Sequence, residues 1–216
     1  MYRLTEIHIT YDDRVDKIIP EVLKLDYDDS LLCIRYLKSS SLVNQIRKTL
    51  IEKYPEFFVK VTVYSEYDIT SYLNEVKVYS IVKDNRISPT IHHQGTIATC
   101  EVFLQEEDFN ITSRKYFITY LVMDKCGTSL DILYLPNNIA KNYLGPGCYI
   151  QRNGRIDDFE SYFPQEYFPT KVVQGVLETL HKLKNLGVYH EDIHPGNFLE
   201  HNGEILVIDF ECITIR

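Results

Sequence analysis

One stretch near the end of the chain, LGVYHEDIHPGNFLEHNGEILVIDFE (residues 186–211), constrains this sequence more than any other. Two apolar, strand-like runs, Asn197-Phe198-Leu199 and Ile205-Leu206-Val207-Ile208, flank the turn Glu200-His201-Asn202-Gly203. Asn-Gly accepts the left-handed backbone of a tight turn, so the pattern predicts a β-hairpin. Ahead of it stands His190-Glu191-Asp192, with Asn197 five residues after Asp192, and behind it stands Asp209-Phe210-Glu211. The hairpin thus carries polar groups at both of its outer ends.

The spacing suits phosphoryl transfer. One carboxylate would orient and deprotonate an acceptor hydroxyl, while an amide five residues on and a second carboxylate at a strand end would hold Mg²⁺ on nucleotide phosphates. On these residues the chain resembles the protein-kinase-like superfamily, with His190-Glu191-Asp192 where H-R-D is usual and Asp209-Phe210-Glu211 where D-F-G is usual. HPGN (residues 194–197) with IDFE (residues 208–211) is more similar to aminoglycoside and choline phosphotransferases than to typical protein kinases. The resemblance implies ATP and Mg as cofactors, Asp192 as catalytic base, and Asn197 and Asp209 as metal ligands.

Bulk properties narrow the class. A chain of 216 residues can bury one core or two small lobes sharing a cleft. The net charge of −8 disfavours nucleic acid as a partner, because phosphate backbones need a basic footprint. A bound nucleotide must therefore be held by local positive groups and metal. Five scattered cysteines without C-x-x-C spacing suit a reducing, intracellular setting, cytoplasmic or nuclear, better than a disulfide framework. The N-terminus lacks the apolar core of a signal peptide, and no run reaches the length of a membrane span, so no membrane association is expected.

Residues 1–94 contain no glycine. Short strands are expected at residues 4–10, 22–25 and 31–36, with a turn at 26–30. Residues 41–54 read as an amphipathic helix stopped by Pro55, residues 57–63 as a strand, and residues 68–82 as a second helix. A strand lysine followed by a helical glutamate is the kinase arrangement in which an ion pair sets lysine against the α- and β-phosphates. The resemblance makes Lys60 and Glu75 that pair. Strands are expected at residues 97–104 and 116–123. The segment after the second resembles the hinge between kinase lobes, where the backbone of residues 124–126, Asp124 to Cys126, would bind the adenine edge. Residues 135–169 read as an irregular insertion. Residues 170–186 form a helix with an apolar stripe of Val172, Val173, Val176, Leu177, Leu180 and Leu183, closed by Gly187.

His190-Glu191-Asp192-Ile193-His194 also matches the zinc-protease pattern H-E-x-x-H. That chemistry needs both histidines on one face of a helix, and Gly187 with Pro195-Gly196 breaks any helix here. His190 is instead expected to hold the loop in place. Departures from the family are plain: Asp26, Asp28 and Asp29 occupy the candidate glycine-loop turn, Glu211 replaces the last glycine of D-F-G, and His194 stands where Ser/Thr kinases carry lysine. The sequence also stops at Arg216, leaving a minimal lower lobe that a partner protein could complete.

The expected fold is α+β, a two-lobed kinase-like domain with residues 1–123 as the N-lobe and 124–216 as a truncated C-lobe. The expected function is ATP- and Mg-dependent phosphoryl transfer to a protein or small-molecule hydroxyl. The alternative is a catalytically impaired pseudokinase acting as a binding or scaffold module.

Overall fold

The computed structural model describes residues 3–11, 40–105, 111–136 and 162–216. The strands expected at residues 22–25 and 31–36, the aspartate-rich turn and most of the 135–169 insertion lie outside them. The fold is mixed α+β, and the chain divides into two compact units: Met1–Tyr72 with Ile91–Asp124, and Leu73–Thr90 with Lys125–Arg216. The second unit thus draws residues 73–90 from the segment expected in the N-lobe.

The first unit is built on an antiparallel sheet of β1 (Arg3–Tyr11), β2 (Phe58–Ser65), β3 (Ile91–Gln105) and β4 (Ile111–Met123), in the order β1-β3-β4-β2. β2 pairs with β4 along its whole length, from Phe58 opposite Met123 to Ser65 opposite Tyr116. Val59, Val61 and Val63 alternate on one face of β2, the period expected of a strand with one face in a core. Helix α1 (Ser41–Lys53) buries Leu42, Val43, Ile46 and Leu50 in the same core, together with Ile97, Cys100, Tyr116, Ile118 and Val122. Ser40 caps α1 by accepting the Val43 N–H at 3.3 Å. At the other end the Tyr54 N–H bonds to Leu50 O before Pro55 stops the helix. The helix ahead of the lysine strand is therefore a structural member of this unit. Burial pushes the Cys100 thiol up to about 12, so it serves as a small apolar group.

α2 (Ile69–Val82) begins in the first unit and continues into the second, where Val78, Tyr79 and Val82 are buried. The second unit then holds β5 (Thr128–Ser129), α3 (Leu130–Tyr134), α4 (Thr170–Asn185), β6 (Val188–His190), β7 (Phe198–His201), β8 (Glu204–Val207) and β9 (Ile213–Ile215). β5, β7 and β8 make one small sheet, and β6 pairs with β9. The expected hairpin is β7–β8, with Asn202 and Gly203 at φ 52° and 82° in the turn.

α4 buries Val172, Val176, Leu180 and Leu183. Gly175 costs it helix propensity but permits close approach, since a Cβ there would lie 2.7 Å from Ile205 Cγ1 on β8. Next to it the Thr179 hydroxyl sits 2.8 Å from Ile205 O, tying helix to hairpin. Gly187, at φ 74°, ends the helix in the left-handed conformation expected of a C-terminal glycine. Its backbone carbonyl accepts the Arg216 N–H at 2.9 Å, so the segment after the hairpin returns along β6. Among the described residues no helix is long and apolar enough to cross a membrane.

Ile46 is fully buried in the first unit's core and Ile51 on the same helix is 47% exposed. Ile46→Ala is expected to cost about 2–4 kcal/mol and Ile51→Ala less than about 0.5 kcal/mol, measured by denaturant unfolding. Equal losses would mean that α1 is not seated on the sheet through this face.

Candidate functional site

The loop between β6 and β7 lies wholly in the second unit and carries most of the candidate chemistry. His190, the last residue of β6, is buried between Phe198 and Phe210, with ring centroids 6.4 and 5.6 Å away. Its Nδ1 accepts the Asp192 N–H at 3.2 Å, and its Nε2 lies 3.2 Å from Ile208 O. With Nδ1 accepting, Nε2–H is the donor to that carbonyl, which defines a neutral tautomer. One ring thus links the start of the loop to the strand end that delivers Asp209. Burial drives the His190 pKa down, and the nearby carboxylates of Asp192 and Asp209 act in the opposite direction without reversing it.

Asp192 is half-exposed, and its side-chain partners come from the next five residues. Asn197, buried in a 3₁₀ turn (Pro195–Asn197), donates Nδ2–H to Asp192 O at 2.9 Å and to Oδ2 at 3.2 Å. His194 Nε2 lies 3.5 Å from the same Oδ2. Oδ1 has no hydrogen-bond partner among the described residues. The His194 imidazole, aided by the Asn197 amide, holds the Asp192 carboxyl below its usual range despite the opposing effect of burial. Asp192 is therefore an ionised, acceptor-only group at neutral pH, with one oxygen anchored and the other open.

Asn197 is fixed at its backbone as well, its N–H bonding to His194 O and its carbonyl accepting the Ile208 N–H. With Nδ2 committed to Asp192, its side-chain Oδ1 remains available to a cation. Asp209 follows Ile208 directly and adopts φ 64°, a left-handed conformation rare for a residue with a side chain. Phe210 turns inward, stacking edge-on against Tyr79 of α2 at 4.8 Å. The carboxylates of Asp209, Glu211 and Glu75 converge, with one oxygen from each within 4.8 Å of the others. Glu75 is fully buried and the other two are half-buried. Three carboxylates form a hard donor set of the kind that suits Mg²⁺.

The remaining sequence-derived candidates are divided between the two units. Lys60 is half-buried on β2 in the first unit, whereas Glu75 belongs to the second. Asp124 ends the first unit and its carboxylate lies 2.7 Å from His92 Nε2. Cys126 is a half-buried cysteine outside any disulfide, in the segment before β5. The zinc alternative fails on geometry: His190 is in a strand, His194 is in a loop, and Glu191 Oε1 accepts the Thr214 hydroxyl of β9. Both His190 nitrogens are committed to backbone groups.

Two residues escaped the sequence reading. Glu211 counted there only as a lost glycine, yet its carboxylate joins Asp209 and Glu75. His194 counted as a missing lysine, yet it touches Asp192. The neighbouring Gly196 was the available sign, because a Cβ there would crowd the ring at 3.0 Å.

No protein-family model matches the sequence, and no curated protein matches it. Among solved structures, an effector kinase of Legionella pneumophila is similar at 16% identity and a TM-score of 0.32, covering 86% of this chain and 41% of that one. A likeness this remote carries no argument, so the function is argued from the loop geometry.

The lowered His190 pKa has a stability consequence. As pH falls below about 6.5, the unfolded chain binds a proton that the folded imidazole refuses. The unfolded state then holds more protons, so stability falls with falling pH, by up to about 1.4 kcal/mol per pH unit. His190→Gln is expected to lose this component of the slope between pH 6.5 and the lower folded value, read as Tm against pH. Parallel slopes for the two proteins would mean that the folded imidazole charges freely.

Proposed function

We propose that the chain is a kinase-like phosphotransferase that moves the γ-phosphoryl group of ATP to a hydroxyl with Mg²⁺ as cofactor. The observation that carries this reading is the Asp192–Asn197 arrangement, a carboxylate anchored through Oδ2 and open at Oδ1, in the same unit as the carboxylate cluster of Asp209, Glu211 and Glu75. In the proposed step the acceptor hydroxyl gives its proton to Asp192 Oδ1. Its oxygen forms a bond to the γ-phosphorus as the bond to the β–γ bridging oxygen breaks, and ADP leaves. Asn197 and Asp209 would hold Mg²⁺, with Glu211 near enough to join them. Bound metal would neutralise charge developing on the phosphoryl oxygens.

The assignment of Lys60 to the α- and β-phosphates, with Glu75 as its partner, rests on their order along the chain. So does that of the backbone from Asp124 to Cys126 to the adenine edge. The HPGN and IDFE segments favour a small-molecule acceptor of the kind used by aminoglycoside and choline phosphotransferases. The reduced state of Cys100, Cys126 and Cys212 among the described residues favours an intracellular setting.

A second reading has its own observation. Residues 1–94 lack any glycine, and a loop without glycine brings backbone N–H groups to phosphate poorly. This favours a pseudokinase that keeps the fold for binding.

Thermal unfolding with ATP, with and without Mg²⁺, separates the two. Nucleotide at a hundred times its Kd is expected to stabilise by about 2.7 kcal/mol, or roughly 5–10 °C in Tm. The Mg²⁺-dependent part should vanish in Asp209→Asn. Asp192→Asn should keep the shift but lose turnover by about a hundredfold or more. No shift in the wild-type protein would remove the ATP site and leave the binding module.

A further inference from the structure

Among the groups near the candidate base, His194 is the one without an assigned task. It occupies extended backbone (φ −151°, ψ 160°), as a residue preceding proline must, and starts the 3₁₀ turn that carries Asn197. Its Nδ1 accepts the Gly196 N–H at 3.1 Å, an unusual use of histidine where serine or aspartate commonly caps. This bond has a directional effect. A neutral imidazole accepting at Nδ1 carries its proton on Nε2. The atom so protonated is the one that lies 3.5 Å from Asp192 Oδ2.

The local sequence follows from the same contact. A Cβ on Gly196 would meet His194 Cε1 at 3.0 Å and Nδ1 at 3.1 Å, so a larger residue would crowd the ring against the N–H it caps. Pro195 has no N–H to compete for the cap and pre-sets the turn. The ring is only 17% exposed, against 36% for Asp192, so it is the less accessible partner of the pair. A lysine at this position would extend its charge outward to the transferring phosphoryl group. His194 spends its donor inward.

We propose that His194 is a positioning residue: with Asn197 it pins Asp192 Oδ2 and thereby presents Oδ1 to the acceptor hydroxyl. The contact of 3.5 Å is long for a hydrogen bond, and such catalytic contacts commonly tighten once substrate is bound. Two donors from one short turn converge on one oxygen, so the carboxylate loses its freedom to flip. The inference rests on the phosphotransfer reading only for its kinetic consequence, since the pairing itself is a property of the free protein.

The variant that separates capping from positioning is His194→Ser. Serine caps the Gly196 N–H well but cannot reach Asp192 Oδ2. With Mg-ATP and water as acceptor, phosphate release by His194→Ser is expected to fall about ten- to a hundredfold in kcat with KM for ATP unchanged. Its Mg-ATP thermal shift should match that of the wild type. Wild-type kcat in the serine variant would reduce His194 to a turn cap and overturn the proposal. Should the serine variant fold poorly, the ¹⁵N ring resonances of wild-type His194 decide the matter. Nδ1 unprotonated, Nε2 protonated and an Nε2–H resonance that moves in Asp192→Asn support the pairing. A proton on Nδ1, or an Nε2–H indifferent to Asp192→Asn, sinks it. Absence of any Mg-ATP shift and turnover in the wild type would refute the phosphotransfer reading instead, and the resonances would still decide the pairing.

Discussion

The buried imidazole of His190 is the joint on which the second unit's chemistry depends. It accepts the Asp192 N–H on one side and lies against Ile208 O on the other, so a single ring sets the distance between the loop and the end of the hairpin. Aromatic neighbours hold that ring in turn: Tyr79 against Phe210, Phe210 against His190, Phe198 against Phe163. A polar group is costly inside such a cluster unless its nitrogens are satisfied, and both are. The hydrogen bonds that fix the loop are therefore strengthened by the apolar packing that excludes water from them.

Around this joint the chain concentrates negative charge. Asp192, Asp209, Glu191 and Glu211 all bear on the Cys212 thiol, which burial first and these carboxylates next push upward. Cys212 is thereby kept protonated and a poor nucleophile despite its exposure. The same field explains why a cation would be drawn here although the chain is acidic overall. Asp209 reaches the cluster through a left-handed backbone that a non-glycine residue adopts at some cost. That cost is met by Phe210, whose burial commits the chain to the turn.

Legibility in the sequence followed the range of the interactions. The hairpin, the stop of α1 at Pro55, the helix closed by Gly187 and the exclusion of a zinc helix were all readable, because each depends on residues within a few positions of one another. Strand ends were read less well: β3 and β4 run past the expected limits, since pairing with each other extends them beyond their apolar stretches. The grouping of residues 73–90 with the second unit was not readable, because it rests on long-range contacts such as the Val207 N–H bonding to Ile87 O. Glu211 and His194 were visible as departures from a pattern, but their partners were not.

By itself the sequence determined the elements of the candidate site and their order: a carboxylate, an amide five residues on, a hairpin and a second carboxylate. Short-range rules of turn, period and cap are enough for that. Only the tertiary structure decided how those groups are used. It directs His194 inward to Asp192 Oδ2, opens Oδ1, and brings Glu75 from 134 residues away to Asp209. Contacts of that separation depend on which surfaces bury together, and burial is a property of the packed chain, not of any window along it.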